Sequence, residues 1–477
     1  MRSFIKRSLL YGLLVSSLSF SSCVVGPDYL APGFPTSDQW HYALKKELVQ
    51  EVTPLETWWQ SFNDPALTEL ILLASASNKD LKIALEKVEE ARALQGVAAS
   101  AYYPRIDGIG NYDYSRSSQR LGSPTNANNP SERFSWGFDS SWEVDLFGKV
   151  RRSVESSQAN QEAAVEFSRD IMVSLYAEIA LNYIQLRTSE KRSRLAQANV
   201  AVQQESNRVT QARFKAGLVP RIDMTQALTN LNNTKAIVPL LEQEAAFARN
   251  RLSVLLGEYP GNIDSLLKGD HDIPLPSQTL SVGLPAELIR RRPDIREAER
   301  NLAAQTARIG VVQAELYPQL SLNGSFQLQA SDAGNLFDLA ARAWGLNPTF
   351  RWNLFNAGEI RKRVESEESL ARQALLSYEN TVLIAVEEVE NSLVAIATER
   401  KRHELLKKAA DSTAKTVSLV KQNYKSGLVS FQNVLDAERS LTLDQDEEAQ
   451  SLGQVSINHV QLFKALGGGV TYPDSSN

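Results

Sequence analysis

The chain has 477 residues, 43% of them hydrophobic and 22% charged, with a formal net charge of -5. That length and apolar content allow a large core and exclude both a small stapled scaffold and bulk disorder. The acidic balance excludes nucleic-acid binding, which requires a basic surface, and disfavours phosphate-bearing partners.

The first element is a secretory signal over 1–22: Arg2, Lys6 and Arg7 precede the apolar run from Leu9 to Leu18, and small residues follow. The run is too short to span a bilayer as a helix, and no later stretch offers the 18 or more uncharged apolar residues such a span needs. Cys23 is the single cysteine, so an internal disulfide is excluded and the thiol calls for another role. Ser21-Ser22-Cys23 resembles the bacterial lipobox, with Phe20 in place of the usual leucine. By that resemblance Cys23 is the first mature residue and carries a covalent lipid, N-acyl and S-diacylglycerol, and Val24 after it favours the outer membrane. The alternative is an ordinary signal-peptidase site with an incidental cysteine. Residues 23–65 are then an acylated, extended N-terminal segment.

The rest of the chain is a duplication. Tyr103-Pro104-Arg105-Ile106 recurs as Tyr317-Pro318-Gln319-Leu320, and Asp145-Leu146-Phe147-Gly148 as Asn353-Leu354-Phe355-Asn356. Phe214-Lys215-Ala216-Gly217-Leu218-Val219 recurs as Tyr424-Lys425-Ser426-Gly427-Leu428-Val429, and Leu256-Gly257 as Leu466-Gly467. The landmarks keep one order at nearly one spacing. The first repeat covers 66–257, a Pro/Gly/Asp-rich linker 258–283, the second repeat 284–467 and a tail 468–477.

Each repeat opens with a helix and continues with two short alternating segments, about 104–115 and 133–145 in the first, about 318–329 and 343–354 in the second. Phe134, Trp136, Phe138, Trp142 and Val144 share one parity, and Ser135, Gly137, Asp139, Ser141 and Glu143 the other, which is the pattern of a two-faced strand. Leu320, Leu322, Phe326 and Leu328, and then Trp344, Leu346, Phe350, Trp352 and Leu354, repeat it; the first segment, Ile106 to Tyr114, is weaker. Strands of about 10 residues with one aromatic, apolar face fit an outer-membrane barrel, with tryptophan at its interfacial girdle. A soluble sandwich core is the alternative. Single-chain barrels begin at about 8 strands, so four strands require other copies to close; a dimer gives eight and a trimer twelve.

Two long helical segments end each repeat. From Lys149 to Lys215 there is no proline and almost no glycine, a strongly helical composition that spans about 100 Å. Leu175, Ile179, Leu186, Leu195, Val202 and Val209 form the expected stripe toward a coiled-coil neighbour. The first hairpin covers 149–257 with its tip at 216–220, returning through Leu228, Leu231, Leu240 and Leu241. The second covers 358–467 with its tip at 426–430. Glycine at each tip serves a helix end that needs positive φ. The expected fold is mixed α+β, mostly α.

These motifs resemble the TolC-like outer-membrane efflux proteins, and within them the lipoprotein branch typified by OprM and NodT. The resemblance spans nearly the whole mature chain. It rests on Cys23 with Gly26-Pro27-Asp28-Tyr29 and Pro32, on Trp58-Trp59 with Phe62 and Asp64-Pro65-Ala66-Leu67, and on Asn78, Asp80-Leu81 and Ala84. The most specific string is Gly283-Leu284-Pro285 with Leu288, Arg290-Arg291-Arg292-Pro293-Asp294-Ile295-Arg296 and Glu299. The arginines could face an acidic ligand, but with Asp294, Glu297 and Glu299 beside them and Pro293 at a helix start they read as a structural cap.

The resemblance implies a homotrimer with a twelve-stranded outer-membrane β-barrel, four strands per protomer, continued by a periplasmic α-helical coiled-coil barrel. It implies an exit duct for drugs or other small molecules, with a periplasmic adaptor, an inner-membrane pump of RND type and outer-membrane lipid as partners. Carboxylates after the second tip form constricting rings in this family; the matching positions are Asn433 and Asp436, so one expected aspartate is an asparagine. Asp223, in the matching place of the first hairpin, is the expected tie of the closed state, although its arginine partner is replaced by Val429. Gly217, Leu218, Val219, Gly427, Leu428 and Val429 form the tips that meet the adaptor. No cofactor, metal or catalytic residue is expected, because His41, His271, His403 and His459 lack ligand spacing and no phosphate loop or nucleophile elbow occurs. A duct for protein secretion and a lipoprotein scaffold without transport are the other readings.

Overall fold

The computed structural model describes residues 24–33, 40–41, 55–116, 118, 130–269, 272–276 and 291–471. The signal segment 1–22, Cys23 and the stretch from Gly283 to Arg290 lie outside the described residues. The elements in chain order are α1 (Pro65–Ser77), α2 (Lys79–Ser100), β1 (Arg105–Ser115), β2 (Ser131–Val144), α3 (Lys149–Lys215) and α4 (Arg221–Leu255). They continue with α5 (Pro293–Gln313), β3 (Gln319–Ala330), β4 (Arg342–Arg351), α6 (Glu359–Lys425) and α7 (Phe431–Ala465). Helices α3 and α6 are both 67 residues long, and α4 and α7 both 35. The duplication thus holds for the long helices in both order and length. No described helix is long and apolar enough to cross a membrane.

Two compact units divide the chain. The first comprises Met1–Gly33, Val88–Ala164 and Ala298–Tyr378. It holds one antiparallel sheet in the order β1-β2-β3-β4. Strand β4 ends at Arg351, short of the expected 354, and Pro348 lies on it, an edge position where a missing donor is tolerated. Gly137 is required by the β2–β3 spacing: a Cβ there would lie 2.2 Å from the Phe326 carbonyl oxygen. At the end of β2, Asp145 accepts from the backbone N–H groups of Val150 (3.1 Å) and Arg151 (2.9 Å), satisfying donors in the first turn of α3.

The Gly26-Pro27-Asp28-Tyr29 motif is a strap on this unit. The Arg152 guanidinium donates to the carbonyls of Val25 and Gly26, both at 3.2 Å, and to Asp28 at 2.7 Å. Gly26 has φ +94°, and a Cβ on it would collide with Gly310 Cα at 2.4 Å. The Tyr29 hydroxyl donates to Glu299. Burial and that carboxylate hold the Tyr29 hydroxyl well above its usual range, so it stays protonated.

The second unit comprises Phe34–Lys87, Val165–Glu297 and Glu379–Asn477. The expected extended segment 23–65 is not extended throughout: Leu55–Phe62 is a 3₁₀ helix. The reason is burial, since that turn drives Trp58, Trp59 and Phe62 into the core. Trp58 stacks on Phe463 at 5.1 Å and Trp59 meets Tyr176 edge-on at 5.1 Å. Truncating one such side chain costs about 3–5 kcal/mol. The glycines after α7 fit this core: a Cβ on Gly468 would lie 2.8 Å from Trp58 Cδ1 and one on Gly469 2.7 Å from Tyr176 Cδ2.

The remaining motif residues of this unit are caps. Asp64 accepts from the backbone of Ala66 (2.9 Å) and Leu67 (3.1 Å) with Pro65 opening α1, and takes the Tyr183 hydroxyl at 2.8 Å. Burial pushes that hydroxyl up to about 12, so it remains a donor. Asn78 accepts from Leu81 N–H at 2.8 Å and donates to the Leu255 carbonyl at 2.8 Å. His459 is fully buried, bonded through Nδ1 to the Val455 carbonyl at 2.6 Å and through Nε2 to Arg400 at 2.8 Å. Burial lowers its pKa to about 4; the neutral ring donates at Nδ1 and accepts at Nε2.

Candidate functional site

The sheet presents one mainly apolar face in register across four strands, interrupted by Ser140 and Arg342. Gly108, Phe138, Phe326 and Trp344 form one row, and Gly110, Trp136, Leu328 and Arg342 the next. Val144, Leu320 and Phe350 form a further row. The other face carries Asp107, Asp139, Ser325 and Gly345 in one row and Ser141, Asn323 and Asn347 in another. Trp344 is 79% exposed and Phe350 65%, on edge strand β4. Such a surface is stable in lipid on one side and water on the other. Trp142 and Trp352, at corresponding strand ends, donate their indole N–H to the carbonyls of Tyr102 and Leu316, each at 3.1 Å. Among the described residues, strands β1 and β4 leave two edges unpaired, a condition that costs several kcal/mol per backbone group inside a bilayer.

The hairpin tips are built alike. Gly217 (φ 72°) donates to Phe214 O at 2.9 Å while Leu218 N–H reaches Arg213 O at 2.9 Å; Gly427 (φ 74°) and Leu428 repeat this to Tyr424 O and Asn423 O at 3.0 and 2.9 Å. This is the Schellman arrangement that ends a helix on a left-handed glycine. Leu218 and Leu428 are 71% and 74% exposed. Val219 is half-buried, and Val429 turns inward onto a cluster of Ala227, Tyr424, Phe431, Val434 and Leu435. The two leucines are the large apolar side chains turned outward at the tips, with Ala216 and Pro220 also exposed at the first. Arg213 locks the cluster by stacking on Tyr424 at 4.5 Å and donating to the carbonyls of Tyr424 (3.0 Å) and Lys425 (3.3 Å).

Asn433 and Asp436 lie one turn apart near the start of α7, both exposed, with Gln432 donating to Asp436 at 2.8 Å. Asp223 lies in the first turn of α4, half-buried, with its carboxyl pushed up by burial. Its expected tie to the second hairpin is not formed within the chain: among the described residues its carboxylate has no partner, consistent with Val429 standing where an arginine was expected.

The stripe along α3 changes character toward the tip. Leu175, Ile179 and Leu186 are buried as expected. Leu195, Val202 and Val209 are only half-buried, and Ala196, Asn199, Gln203 and Thr210 take the buried positions. Likewise on α4, Leu231 and Leu241 are buried, while Leu228 and Leu240 are exposed. The α3–α7 seam is polar for this reason. Arg192 grips Asp446 at 2.8 and 3.0 Å, Asn199 donates to Gln445 at 3.0 Å, and Gln203 to Thr442 at 3.4 Å. Ser206 donates to Glu438, which also pairs with Lys421 at 2.8 Å. Glu438 is 3% exposed and escaped the sequence reading; its signal was a carboxylate on the buried side of α7 only two residues from Asp436.

The arginine string is structural where it is described. Arg292, 8% exposed, binds Asp294 through two nitrogens (2.9 and 2.6 Å), Glu388 at 2.6 Å and the Ala465 carbonyl at 2.9 Å. Asp170 faces the same polar cavity, its carboxyl pushed up by burial and by Asp294. Three carboxylates thus face Arg292 and Lys464 around this cavity, which leaves no excess positive charge for an acidic ligand.

The family model described as "Outer membrane efflux protein" matches residues 70–258 and 284–468. Nodulation protein T of Rhizobium leguminosarum bv. trifolii is 31% identical over 458 residues, covering 95% of this chain and 96% of that protein. Toluene efflux pump outer membrane protein TtgI of Pseudomonas putida is 31% identical over 462 residues, covering 95% and 96%. The solved outer-membrane channel OprN superposes with a TM-score of 0.89 at 34% identity, over 94% of this chain and 99% of that one.

Proposed function

The chain belongs to the outer membrane efflux protein family, and we propose that three copies close into one exit duct. Each copy contributes its four strands to a twelve-stranded outer-membrane barrel and its two hairpins to a periplasmic conduit. The observation that carries this reading is a sheet with one apolar face and two open edges, on a chain that also carries two hairpins of matched length. A bilayer tolerates that sheet only when the edges are paired by other copies.

The duct works passively with a periplasmic adaptor and an inner-membrane pump of the RND class. Leu218 and Leu428 at the glycine tips are the adaptor-facing groups. Cargo is small molecules, a class to which the relative named for toluene efflux points. Three copies of Asp436 around a narrow axis repel one another and hold cations, which restricts the conduit until the hairpins part. Asn433 reduces the charge of that ring. Cys23 carries the lipid, as N-acyl and S-diacylglycerol chains.

Planar-bilayer conductance of the purified protein tests the reading. Wild type is expected to give a small, cation-preferring conductance that rises in Asp436→Ala. Absence of any channel refutes the duct, whereas unchanged conductance removes Asp436 alone. Cys23→Ser is expected to abolish palmitate labelling; retained label would refute the anchor.

A further inference from the structure

The connection from β3 to β4, residues 331–341, carries two large apolar side chains that the core of its unit does not take up. Phe337 and Leu339 are each 74% exposed. The connection is nevertheless built from defined turns, Ala333–Asn335 and Leu339–Ala341. The Asp332 carboxylate accepts from the Gly334 N–H at 2.7 Å, and the Asp332 carbonyl from Asn335 at 3.2 Å. Asp338 N–H then reaches the Asn335 carbonyl at 3.2 Å, and Ala341 N–H the Asp338 carbonyl at 3.0 Å. Backbone bonded within itself in this way suits the boundary of a bilayer, although irregular backbone is excluded from the hydrocarbon centre.

The Phe337 ring shows which surface the connection joins. It lies 6.3 Å from the Trp136 ring, which in turn lies 6.0 Å from Phe138. Trp136 stands on the apolar face of β2, with β3 between it and the edge strand β4. Phe337 is therefore on the apolar side of the sheet, opposite the polar side that would line a pore. It also leans over the chain's own inner strands, away from the β4 edge where another copy would pair. The surface it continues is the one that meets lipid, at the end of the sheet opposite the strand ends that lead to the helices. Exposed Asp332 and Asp338 in the same connection set the depth: near the membrane–water interface a carboxylate costs little and an aromatic ring is favoured. We infer that Phe337, with Leu339 beside it, inserts into the membrane interface remote from the helices and anchors that rim of the sheet to the lipid. The inference rests on the outer-membrane reading of the sheet and adds a contact made by a connection rather than a strand.

The test places one nitroxide label at a time on the full chain in the Cys23→Ser background, where an introduced cysteine is the single thiol. The protein is reconstituted in phosphatidylcholine liposomes, and electron paramagnetic resonance compares collision with oxygen, which concentrates in lipid, and with a water-soluble nickel chelate. Labels at Phe337→Cys and Leu339→Cys are expected to favour oxygen, as does a label at Leu346→Cys on the apolar face, whereas Ser331→Cys favours nickel. Nickel preference at either of the first two positions, with oxygen preference at Leu346→Cys, overturns the inference and leaves the barrel standing. Nickel preference at Leu346→Cys as well refutes the barrel reading and the inference with it. Shielding of the two loop labels from both reagents, the sign of burial against a second copy, also overturns it. So does oxygen preference at Ser331→Cys, the sign of a label that finds lipid from any position.

Discussion

Replacing Lys421 by methionine removes an ion pair that joins α6 to the buried carboxylate of the α3–α7 seam, together with a 3.3 Å bond to the Val202 carbonyl. The Lys421–Glu438 pair is 2.8 Å long, with side chains 25% and 3% exposed. Breaking a fully buried pair costs about 3–5 kcal/mol because the remaining charge stays buried, whereas an exposed pair contributes less than about 1 kcal/mol. With one partner a quarter exposed and Ser206 still donating to Glu438, an intermediate loss of about 2 kcal/mol is expected, or about 30-fold in a local opening equilibrium. Amide hydrogen exchange of the assembled protein reads that equilibrium directly: protection along α7 around Glu438 should fall by about that factor while the sheet is unaffected. Lys421→Met with Glu438→Gln removes the stranded charge and should return protection most of the way. Wild-type exchange in Lys421→Met, or a double variant no better than the single, would show that the pair does not hold the seam.

Asp64→Ala removes both a helix cap and the partner of the Tyr183 hydroxyl, and should lower stability by about 1–3 kcal/mol, seen as a lower thermal midpoint. Gly453→Ala would place a Cβ 2.2 Å from Thr188 Oγ1; a loss of about 1–3 kcal/mol is expected, with partial recovery on adding Thr188→Ala, and no recovery would mean the strain lies elsewhere. His459, with a folded pKa of about 4 against 6.5, leaves the unfolded chain holding the extra proton between those values. Its contribution is therefore complete above about pH 6.5 and is lost as pH falls toward about 4, by up to about 3 kcal/mol. Thermal midpoints measured across that window should flatten in His459→Gln, and an unchanged slope would assign it to other groups.

The sequence by itself carried the architecture, because its signals are local and repeated. Strand parity, proline-free runs and glycine stops depend on neighbours in the chain, and the matched lengths of α3 with α6 and α4 with α7 reproduce the duplication. Pro293 at the start of α5 and glycine at both tips were legible for the same reason. What only the tertiary structure decided is which side of each long helix is buried and what meets it there. Composition favoured an apolar stripe through Leu195, Val202 and Val209, but packing against α7 turned Asn199, Gln203 and Thr210 inward, since each finds hydrogen bonds close by or across the seam. Val429 turning into its cluster, Arg292 joining Glu388 to the end of α7, Glu438 buried beside Lys421 and Asn230 left with an unpaired buried donor are outcomes of the same kind. They join residues far apart in the chain, and no local pattern encodes a partner that only folding supplies.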